Sequence, residues 1–458
     1  MSTLVPTAFD WPSWAELLRV LSLSAGFNTT VVQIGVTLLG IAAGVVGTFA
    51  VLRKRALMGD ALSHAALPGI AIAFLVAVAF GGEGRSTPVL LTGAAVSGVI
   101  GVLIIQGLVR HTRLPEDAAI GAVLSVFFGA GFVILSFIQT LGTGDQGGIG
   151  KFIYGQTAAM SLGDALVIGA VAAFVTLAAT LLFKEFRLVC FDQEFAGTQG
   201  WSISLIDLLM MALVVAVTVV GLRAVGLILV VALIIIPAAA ARFWTERLSV
   251  MTALAAVIGG ASGYLGASAS ALFPRFPAGA IIVLVAGALF LVSLLLAPAR
   301  GVLAAAVRQA RLRVEVSSQH VLRAMYEALE SGRVDDRGGV DLAGLRRARS
   351  WSNLALALVL RWLAWRGRIR LSAARAELTN LGRSEALRVT RNHRLWEQFL
   401  VAHADIAPSH VDHSADLVEH VLSPDMVAEL ERQLAASGRL PRYLGVPASV
   451  HELSPAAG

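Results

Sequence analysis

Asp60 and His64 are two ionisable residues within an otherwise apolar stretch, residues 57–80. They are four positions apart, so on a helix both side chains project from one face, one turn apart. Within hydrocarbon such a residue costs at least ~2.5 kcal/mol and usually faces a bundle interior or a water-filled path. Because a carboxylate and a neutral imidazole suit borderline divalent cations, the pair predicts a transit site for Mn²⁺, Fe²⁺ or Zn²⁺. A buried Asp–His hydrogen bond that only joins helices is the alternative.

A second group of the same residue types lies near the C-terminus. Asp416, Glu419 and His420 stand at i, i+3 and i+4, so they project from one helical face. His393 on the preceding predicted helix can complete the set. Mixed carboxylate and imidazole ligands suit Mn²⁺ or Fe²⁺, whereas structural zinc favours thiolates. The group predicts a second metal site, with a solvated acidic helix as the alternative.

The composition places the first group in a membrane and the second in water. Of 458 residues, 57% are hydrophobic and 14% are charged, and the mean hydropathy is +0.77. Nearly all the apolar runs fall in the first 300 residues, whereas residues 301–458 are rich in Arg, Asp, Glu and His. The chain therefore predicts an all-α polytopic membrane domain followed by a water-soluble domain.

The apolar runs predict eight or nine transmembrane helices, because about 20 mostly apolar residues cross hydrocarbon. The seventh run is short and continues the apolar stretch of the sixth, so it makes the count uncertain by one. The predicted spans are 30–52, 57–80, 88–109, 118–141, 163–183, 203–221, 225–240, 248–272 and 278–297.

Basic residues alternate between the connections and predict the orientation of the spans. Every second connection carries two or three of them: Arg53, Lys54, Arg55, Arg110, Arg113, Lys184, Arg187, Arg242 and Arg247. By the positive-inside rule these connections are cytoplasmic, which puts the N-terminus outside and the C-terminal domain inside. The single cysteine, Cys190, excludes an intrachain disulfide.

Two catalytic motifs are absent from the sequence. A phosphate-binding P-loop needs G-x-x-x-x-G-K-[ST], and an intramembrane metalloprotease needs H-E-x-x-H. We therefore predict no catalytic residue and no organic cofactor, so that the protein is not an enzyme and any ATP hydrolysis is performed by a separate subunit.

Four segments of the membrane half carry a family resemblance. They are GTFAVLRKRALMGDALSHAALPGIAIAF at 47–74, LPEDAAIGAVLSVFFGAGFVILS at 114–136, FDQEFAGTQG at 191–200 and VGLILVVALIIIPAAAA at 225–241. Together they resemble the permease subunit of bacterial metal-uptake ABC transporters, the zinc, manganese and iron class. The resemblance covers about residues 30–298 and implies import of a divalent metal delivered by an external solute-binding protein. Asp60 and His64 match the family's intramembrane metal ligands.

The same resemblance implies where a separate ATPase docks. Residues 184–201 match the family's docking stretch, and within them residues 192–198 form a charged segment short enough for one or two helical turns. An ordinary solvated loop is the alternative. We also expect a second permease, identical or homologous. The candidate coupling residues are Asp192, Glu194, Ala196, Gly197 and Gly200.

Two C-terminal segments carry a second resemblance. AELTNLGRSEALRVTRNHRLWEQFLV at 376–401 and HVDHSADLVEHVLSPDMVAELERQL at 410–434 resemble metal-dependent repressors of the diphtheria-toxin-repressor type. The resemblance covers about 315–446 and implies a winged helix followed by a helical metal-binding and dimerisation domain. By that resemblance, four residues align with the family's metal positions: His393, Asp416, Glu419 and His420. His320 falls near a further ligand position, and Glu397 and Asp412 could serve an ancillary site. The family often places Glu or Cys where Asp416 stands.

The helix expected to read DNA departs from the repressor pattern. Residues 350–366, SWSNLALALVLRWLAWR, place leucines where polar side chains would contact base edges: Leu354, Leu356, Leu358 and Leu360. A helix that is apolar around most of its circumference is expected to be buried. We hypothesise a cytoplasmic metal sensor whose former reading helix packs on another protein surface. A tethered or cleaved DNA-binding repressor is the alternative, since nearby arginines remain for phosphate contact.

The chain is thus predicted to be a multi-pass protein of the bacterial plasma membrane, surrounded by lipid. We divide it into an N-terminal external segment, a metal permease domain, a basic amphipathic linker, a repressor-like domain and a tail, at residues 1–29, 30–298, 299–314, 315–446 and 447–458.

Overall fold

Long apolar segments of this chain fold as helices, because a helix satisfies every backbone N–H and C=O group internally, as hydrocarbon requires. The computed structural model describes residues 11–55, 58–81, 86–140, 157, 160–273, 276–332, 339–348, 351–372, 374–403, 423–436 and 446–447. The chain divides into two compact units, Met1–Ala305 and Ala306–Gly458.

The first unit is helical throughout its described residues. Eight of its described helices are long and apolar enough to cross a membrane, and these candidate spans begin at Phe27, Met58, Pro88, Glu116, Leu162, Ile203, Leu248 and Ala278. The helices are α1 (Trp14–Leu21), α2 (Phe27–Leu52), α3 (Met58–Ala79), α4 (Thr87–His111), α5 (Glu116–Thr140), α6 (Leu162–Leu181), α7 (Phe183–Phe191), α8 (Gln193–Thr198), α9 (Ile203–Val225), α10 (Leu227–Arg242), α11 (Leu248–Leu272) and α12 (Ala278–Leu296).

The seventh predicted span is a helix of its own, α10. It is separated from α9 by Gly226, whose φ of 85° is a backbone conformation that glycine adopts without a steric penalty. α10 has 16 residues and contains Pro237. At 1.5 Å per residue it is about 24 Å long, less than the ~30 Å of a hydrocarbon core. The prediction of eight or nine membrane helices is therefore confirmed, with α10 as the element that made the count uncertain.

The centre of the first unit is α2, which packs along α11 through small residues. A Cβ atom placed on Gly40 would lie 2.2 Å from the carbonyl oxygen of Gly259. One placed on Gly44 would lie 2.2 Å from the carbonyl oxygen of Ala255. Only glycine permits backbones to approach this closely, as is common where membrane helices pack. On the other side of the unit, α3 packs against α4 and α5.

The second unit has the element order of a winged helix followed by further helices. Three short strands form an antiparallel sheet in the order β1-β3-β2, with Val340 opposite Ala376 and Ile369 opposite Leu378. The elements are α13 (Val302–Glu330), β1 (Val340–Asp341), α14 (Leu342–Ala348), α15 (Asn353–Trp365), β2 (Ile369–Leu371), β3 (Arg375–Leu378), α16 (Asn380–His403) and α17 (Pro424–Ala436).

The core of the second unit joins the buried faces of α13, α15 and the sheet. Leu322, Met325 and Leu363 are fully buried in it, together with Ala376 of β3. α13 begins at Val302, so most of the predicted linker is helical.

Candidate metal centre and its surroundings

Asp60 and His64 lie in the first two turns of α3 with their polar heads close together. The distance from Asp60 Oδ1 to His64 Nε2 is 3.6 Å. Both side chains are only partly exposed, 37% for Asp60 and 21% for His64. Metal–ligand distances for these atom types are about 2.1 Å, so one cation could contact both atoms with a ligand–metal–ligand angle of roughly 120°. The spacing expected from the sequence is thus realised as a converging pair.

The imidazole of His64 is positioned by α5. Its ring makes an edge-to-face contact with the ring of Phe128, with the centroids 4.9 Å apart. His64 Nδ1 is buried and has no hydrogen-bond partner within the described residues. A buried polar atom left in this way costs free energy, because nothing replaces the water that it loses. The ring is therefore held by packing, and no described residue forms a hydrogen bond with its Nδ1.

One turn beyond His64, the backbone of α3 is closely enclosed by its neighbours. Pro68 has no N–H, so it cannot donate the usual helical hydrogen bond to the carbonyl of His64. A Cβ on Gly69 would lie 2.1 Å from the carbonyl oxygen of Gly93 on α4. On the α5 side, a Cβ on Gly131 would lie 3.0 Å from Pro68 Cδ. α4 and α5 thus approach α3 at backbone distance and fix the turn that carries His64.

Asp60 and His64 have no third metal ligand beside them in the part of the chain that the structure describes. No group of three or more His, Cys, Asp or Glu residues able to hold a metal occurs among those residues. A resident zinc site normally has three or four protein ligands.

A buried cluster of ion pairs lies immediately before α3. Arg53 Nη2 lies 2.7 Å from Asp207 Oδ2 on α9, and Arg55 Nη1 lies 3.2 Å from the same oxygen. Arg55 also pairs with Glu116, the first residue of α5. Arg53 Nη1 in addition donates to the carbonyl of Val189 on α7, at 3.4 Å. The connection that leads into the Asp60 helix is therefore tied to α5, α7 and α9 at once.

Sequence reasoning assigned Arg53 and Arg55 to membrane orientation and missed this cluster. A signal was present, since Asp207 is the single acidic residue in the predicted span 203–221. A carboxylate there needs a partner for the same reason that Asp60 does. The partner could not be identified, because Arg53 is 154 positions away along the chain.

The predicted coupling residues lie on and around two short helices, α7 and α8. Asp192 caps α8 by accepting a hydrogen bond from the N–H of Phe195, at 2.9 Å. Ala196 is buried, whereas Glu194, Gly197 and Gly200 are exposed. Gly200 has a φ of 82° and ends the segment.

Large apolar side chains of this segment face outward within the first unit. Phe191, Phe195 and Trp201 are 65, 50 and 43% exposed. Cys190 is half-buried, and burial raises the pKa of its thiol to about 11 although the nearby Arg53 lowers it. The one or two helical turns predicted for residues 192–198 are present as α8, and aromatic side chains beside it are exposed.

In the second unit, His393 and Glu397 form a fully buried pair on α16. His393 Nε2 lies 3.1 Å from Glu397 Oε1. On the other side of the ring, Arg323 Nη1 of α13 lies 2.6 Å from His393 Nδ1. Arg323 Nε also lies 3.2 Å from Glu327 Oε1. Two carboxylates, one imidazole and one guanidinium thus share a single buried site.

The hydrogen bonds of His393 do not fit metal ligation in this arrangement. Arginine only donates hydrogen bonds, so Nδ1 of His393 accepts from Arg323 and the ring proton is on Nε2. Ligation through Nε2 would require that proton to move to Nδ1, where it would face the guanidinium donor to donor. Arg323 in its described position therefore opposes a cation at His393.

Most of the other predicted residues of this site lie outside the described residues. These are Asp412, Asp416, Glu419 and His420. His320 lies on α13, where it is partly buried.

The predicted burial of the former reading helix, α15, is correct for only part of that helix. Leu356 and Leu360 are buried in the domain core, whereas Leu354 is 73% exposed and Leu358 is 55% exposed. The apolar residues therefore extend around both faces of α15, because one face builds the core and the other carries leucines that the described part of the domain does not cover.

Two family models match this chain, one within the first compact unit and one within the second. Residues 28–297 match the ABC 3 transport family. Residues 379–443 match the iron dependent repressor, metal binding and dimerisation domain. Both resemblances predicted from sequence motifs are thereby confirmed.

Curated relatives span the membrane half and more. The manganese transport system membrane protein MntC of Bacillus subtilis is 38% identical over 83% of this chain and 86% of its own length. The zinc transport system membrane protein TroC of Treponema pallidum is 44% identical over 62% of this chain and 94% of its own length.

A solved structure gives the same result for the fold. PsaBC from Streptococcus pneumoniae, in complex with Fab, contains a chain that is 31% identical, with a TM-score of 0.53, over 62% of this chain and 97% of that one. The family match covers more than half of the chain, and a relative at 38% identity is matched over 86% of its length. The chain therefore belongs to the ABC 3 transport family.

Proposed function

We propose that this chain is the permease subunit of an ABC importer for a divalent transition-metal ion, and that the ion passes between Asp60 and His64. The observation that carries the proposal is the 3.6 Å separation of a carboxylate oxygen and an imidazole nitrogen on a membrane-spanning helix. A hydrophobic helix carries such a pair at a cost, and a transit site explains that cost.

We take Mn²⁺ as the main cargo, with Zn²⁺ and Fe²⁺ as alternatives. Relatives whose names state manganese or zinc transport support a divalent transition metal. The ligand pair itself accepts several of these ions, because carboxylate and imidazole bind all of them. Selection among them then depends on delivery by an external solute-binding protein.

The partners follow from what this chain lacks. The sequence has no P-loop, so the energy comes from a separate ATPase subunit. We place its docking surface on α7 and α8, where Phe191, Phe195 and Trp201 are exposed. A second permease, identical or homologous, completes the membrane part. The alternation of basic connections supports an external N-terminus and a cytoplasmic C-terminal domain. Termini on opposite sides need an odd number of crossings, so in this proposal the short helix α10 crosses as the ninth span, beside the eight long apolar helices.

For the cytoplasmic domain we propose metal sensing that regulates transport. The match to a metal-binding repressor domain supports this role. In the described arrangement the predicted ligand His393 is paired with Glu397 inside the domain. The guanidinium of Arg323 holds that pair in a form that opposes metal. DNA-binding repression is the second candidate, and the exposed Leu354 and Leu358 on α15 count against it.

Asp60→Ala and His64→Ala test the transit site. Each removes one of the two ligands, so we expect metal uptake to fall to the background of vesicles without the permease. Copurification of the ATPase should be unchanged, because neither residue lies on α7 or α8. Uptake of radioactive manganese into proteoliposomes that contain the full assembly measures the effect.

Matched controls come from the same residue types outside the membrane. Asp117→Ala and His111→Ala remove an exposed carboxylate and an exposed imidazole at helix ends. Both should transport at the wild-type rate. Wild-type uptake by the two site variants would refute Asp60 and His64 as the transit site.

A further inference from the structure

An apolar stripe lies along the exposed face of α15. Leu354, Leu358 and Trp365 are 73, 55 and 79% exposed. At 3.6 residues per turn, positions i, i+4 and i+11 lie within about 40° of one another around the helix. Arg361, at i+7, lies on the same face and is exposed. The described residues of the domain leave this stripe uncovered.

Arginines are concentrated in the segment that carries the stripe. Residues 342–376 contain eight arginines and no aspartate or glutamate. The guanidinium of Arg366 lies 5.1 Å from the ring centroid of Trp362 and 5.8 Å from that of Trp365. Leucines on one helix face, flanked by arginines and tryptophans, are typical of helices that lie in a membrane–water interface.

The stripe is poorly suited to the DNA major groove. Base edges there are read by hydrogen bonds, chiefly from arginine, lysine, asparagine and glutamine. Leu354 and Leu358 offer none, and they would face a hydrated groove with their apolar surface. The arginines nearby could contact phosphate, but phosphate contacts alone carry no sequence information.

An apolar groove on another protein is also a poor match, because Arg361 lies in the middle of the stripe. Burying a guanidinium without a partner is strongly unfavourable. A lipid headgroup layer avoids this cost. Leucine and tryptophan side chains reach the acyl boundary there, while an arginine extends its charged end to the phosphates.

The covalent connection favours the same partner. Residues 297–352 join the end of α12, a membrane helix, to the start of α15. A tethered domain has a high effective concentration at the surface it is tethered to, so a weak contact suffices. The cytoplasmic leaflet is negatively charged and attracts each nearby arginine by roughly fivefold in binding.

We propose that α15 lies on the anionic cytoplasmic leaflet, with Leu354, Leu358, Arg361 and Trp365 at headgroup level. The domain thereby contacts the bilayer surface with the helix that would contact DNA bases in the repressor pattern. The proposal rests on the cytoplasmic location of the domain given above, and it is independent of the transit site and of any metal in the domain.

A nitroxide label beside the stripe tests this contact in the full chain. Cys190 is replaced by serine, and Ala357, which is exposed next to the stripe, is replaced by cysteine. Ala357→Cys leaves all four stripe residues in place. The full permease–ATPase assembly goes into nanodiscs of phosphatidylcholine with or without phosphatidylglycerol. Relative collision rates with oxygen and with a water-soluble nickel complex then report the depth of the label.

We expect the Ala357 label to lie at bilayer depth only in anionic nanodiscs, and to move into water in about 1 M salt, where the Debye length is ~3 Å. A label at Ala435 on α17, which is also exposed, should report water under every condition. Arg361→Gln should lower the ratio of bilayer-bound to free label about fivefold. Leu354→Glu with Leu358→Glu should abolish the bound population while leaving uptake of metal intact.

Three results would overturn the proposal. The first is a water-exposed Ala357 label in anionic nanodiscs. The second is a label that is shielded from water whatever the lipid charge and becomes exposed to water when the ATPase is omitted, because α15 then docks on protein. The third is release of the label from anionic nanodiscs by duplex DNA of the chain's own promoter but not by unrelated duplex, because α15 then reads DNA. Loss of uptake in Asp60→Ala leaves all three readouts unaffected, so a failure of the transit site is distinguishable.

Discussion

At the scale of single residues, the guanidinium of Arg323 lies against the imidazole of His393, which the sequence predicts to be a metal ligand. The guanidinium lies 2.6 Å from Nδ1 of the imidazole and cannot lose its proton. It therefore fixes the ring proton on Nε2, toward Glu397. Like charges in a buried site repel strongly, and a divalent ion beside Arg323 would meet this repulsion.

We expect Arg323→Gln to raise the Mn²⁺ affinity of the cytoplasmic domain by at least about tenfold, because it removes a fixed positive charge near the imidazole. Calorimetric titration of the full chain in detergent, with Asp60→Ala present to silence the transit site, measures the effect. Arg432→Gln, at an exposed arginine of α17, serves as the matched control. An unchanged affinity in Arg323→Gln would show that Arg323 does not oppose the metal.

Cys190 offers a probe of burial near the docking segment. Burial raises the pKa of its thiol to about 11, so the reactive thiolate is scarce at neutral pH. We expect alkylation by iodoacetamide to be slow at pH 8 and to rise about tenfold per pH unit until the pH approaches that value. In denaturant the same cysteine should react like an ordinary thiol, whose pKa is about 8.5. A rate in the folded protein that levels off near pH 9 would contradict the burial of the thiol.

At the scale of elements, the connection from α2 to α3 links the transit site to the proposed docking segment. Arg53 contacts both Asp207 of α9 and the carbonyl of Val189 on α7, and Arg55 contacts Asp207 as well. If an ATPase docks on α7 as proposed, these contacts connect its docking surface to the residues that precede Asp60. These four groups lie before α3 and position that helix, and none of them is a proposed ligand of the ion.

We expect Asp207→Asn to lower the number of ions imported per ATP hydrolysed while ATP hydrolysis itself persists. The substitution leaves two buried guanidinium groups facing an amide, so the link between α9 and the start of α3 is weakened. Uptake and phosphate release, measured on the same proteoliposomes after the ATPase is shown to copurify, give the ratio. Asp164→Asn, at the cap of α6, is the matched control. An unchanged ratio in Asp207→Asn would exclude the cluster from coupling.

Local patterns in the sequence predicted much of this arrangement, and long-range pairing accounts for the rest. The four-residue spacing of Asp60 and His64 predicts their convergence because a helix is a local structure. The order of elements in the second unit also follows local signals, although α13 includes most of the predicted linker. Arg53 and Asp207 are 154 positions apart, and Arg323 and His393 are 70 apart, so only the fold brings them together. The exposure of Leu354 depends on which face of α15 builds the core, and hydrophobicity alone does not distinguish the two.

At the scale of the whole molecule, the proposed transport and regulatory roles fall in different units. Each has its own hydrophobic core, and the family matches fall on either side of the boundary between Ala305 and Ala306. Removal of residues 306–458 should therefore leave the transport machinery intact, because every residue of the proposed transit and docking sites lies in the first unit.

We expect the truncated chain to import Mn²⁺ at least as fast as the full chain, at a rate that does not depend on Mn²⁺ inside the vesicle. The full chain should slow as internal Mn²⁺ rises, because metal bound to the domain favours the resting arrangement. Uptake by proteoliposomes preloaded with graded Mn²⁺ measures both responses. Equal responses of the two chains, or no response in either, would remove metal sensing from the second unit.

The backbone contact of Gly40 and Gly44 with Gly259 and Ala255 has a mechanical consequence. Where two helices touch main chain to main chain, no side chain lies between them to rotate aside, so neither helix can slide along the other without a clash. α2 and α11 should then travel as one rigid block throughout a transport cycle. Any movement that opens the proposed transit path then takes place around that block. Cross-linking α2 to α11 should therefore leave the rate of metal uptake unchanged.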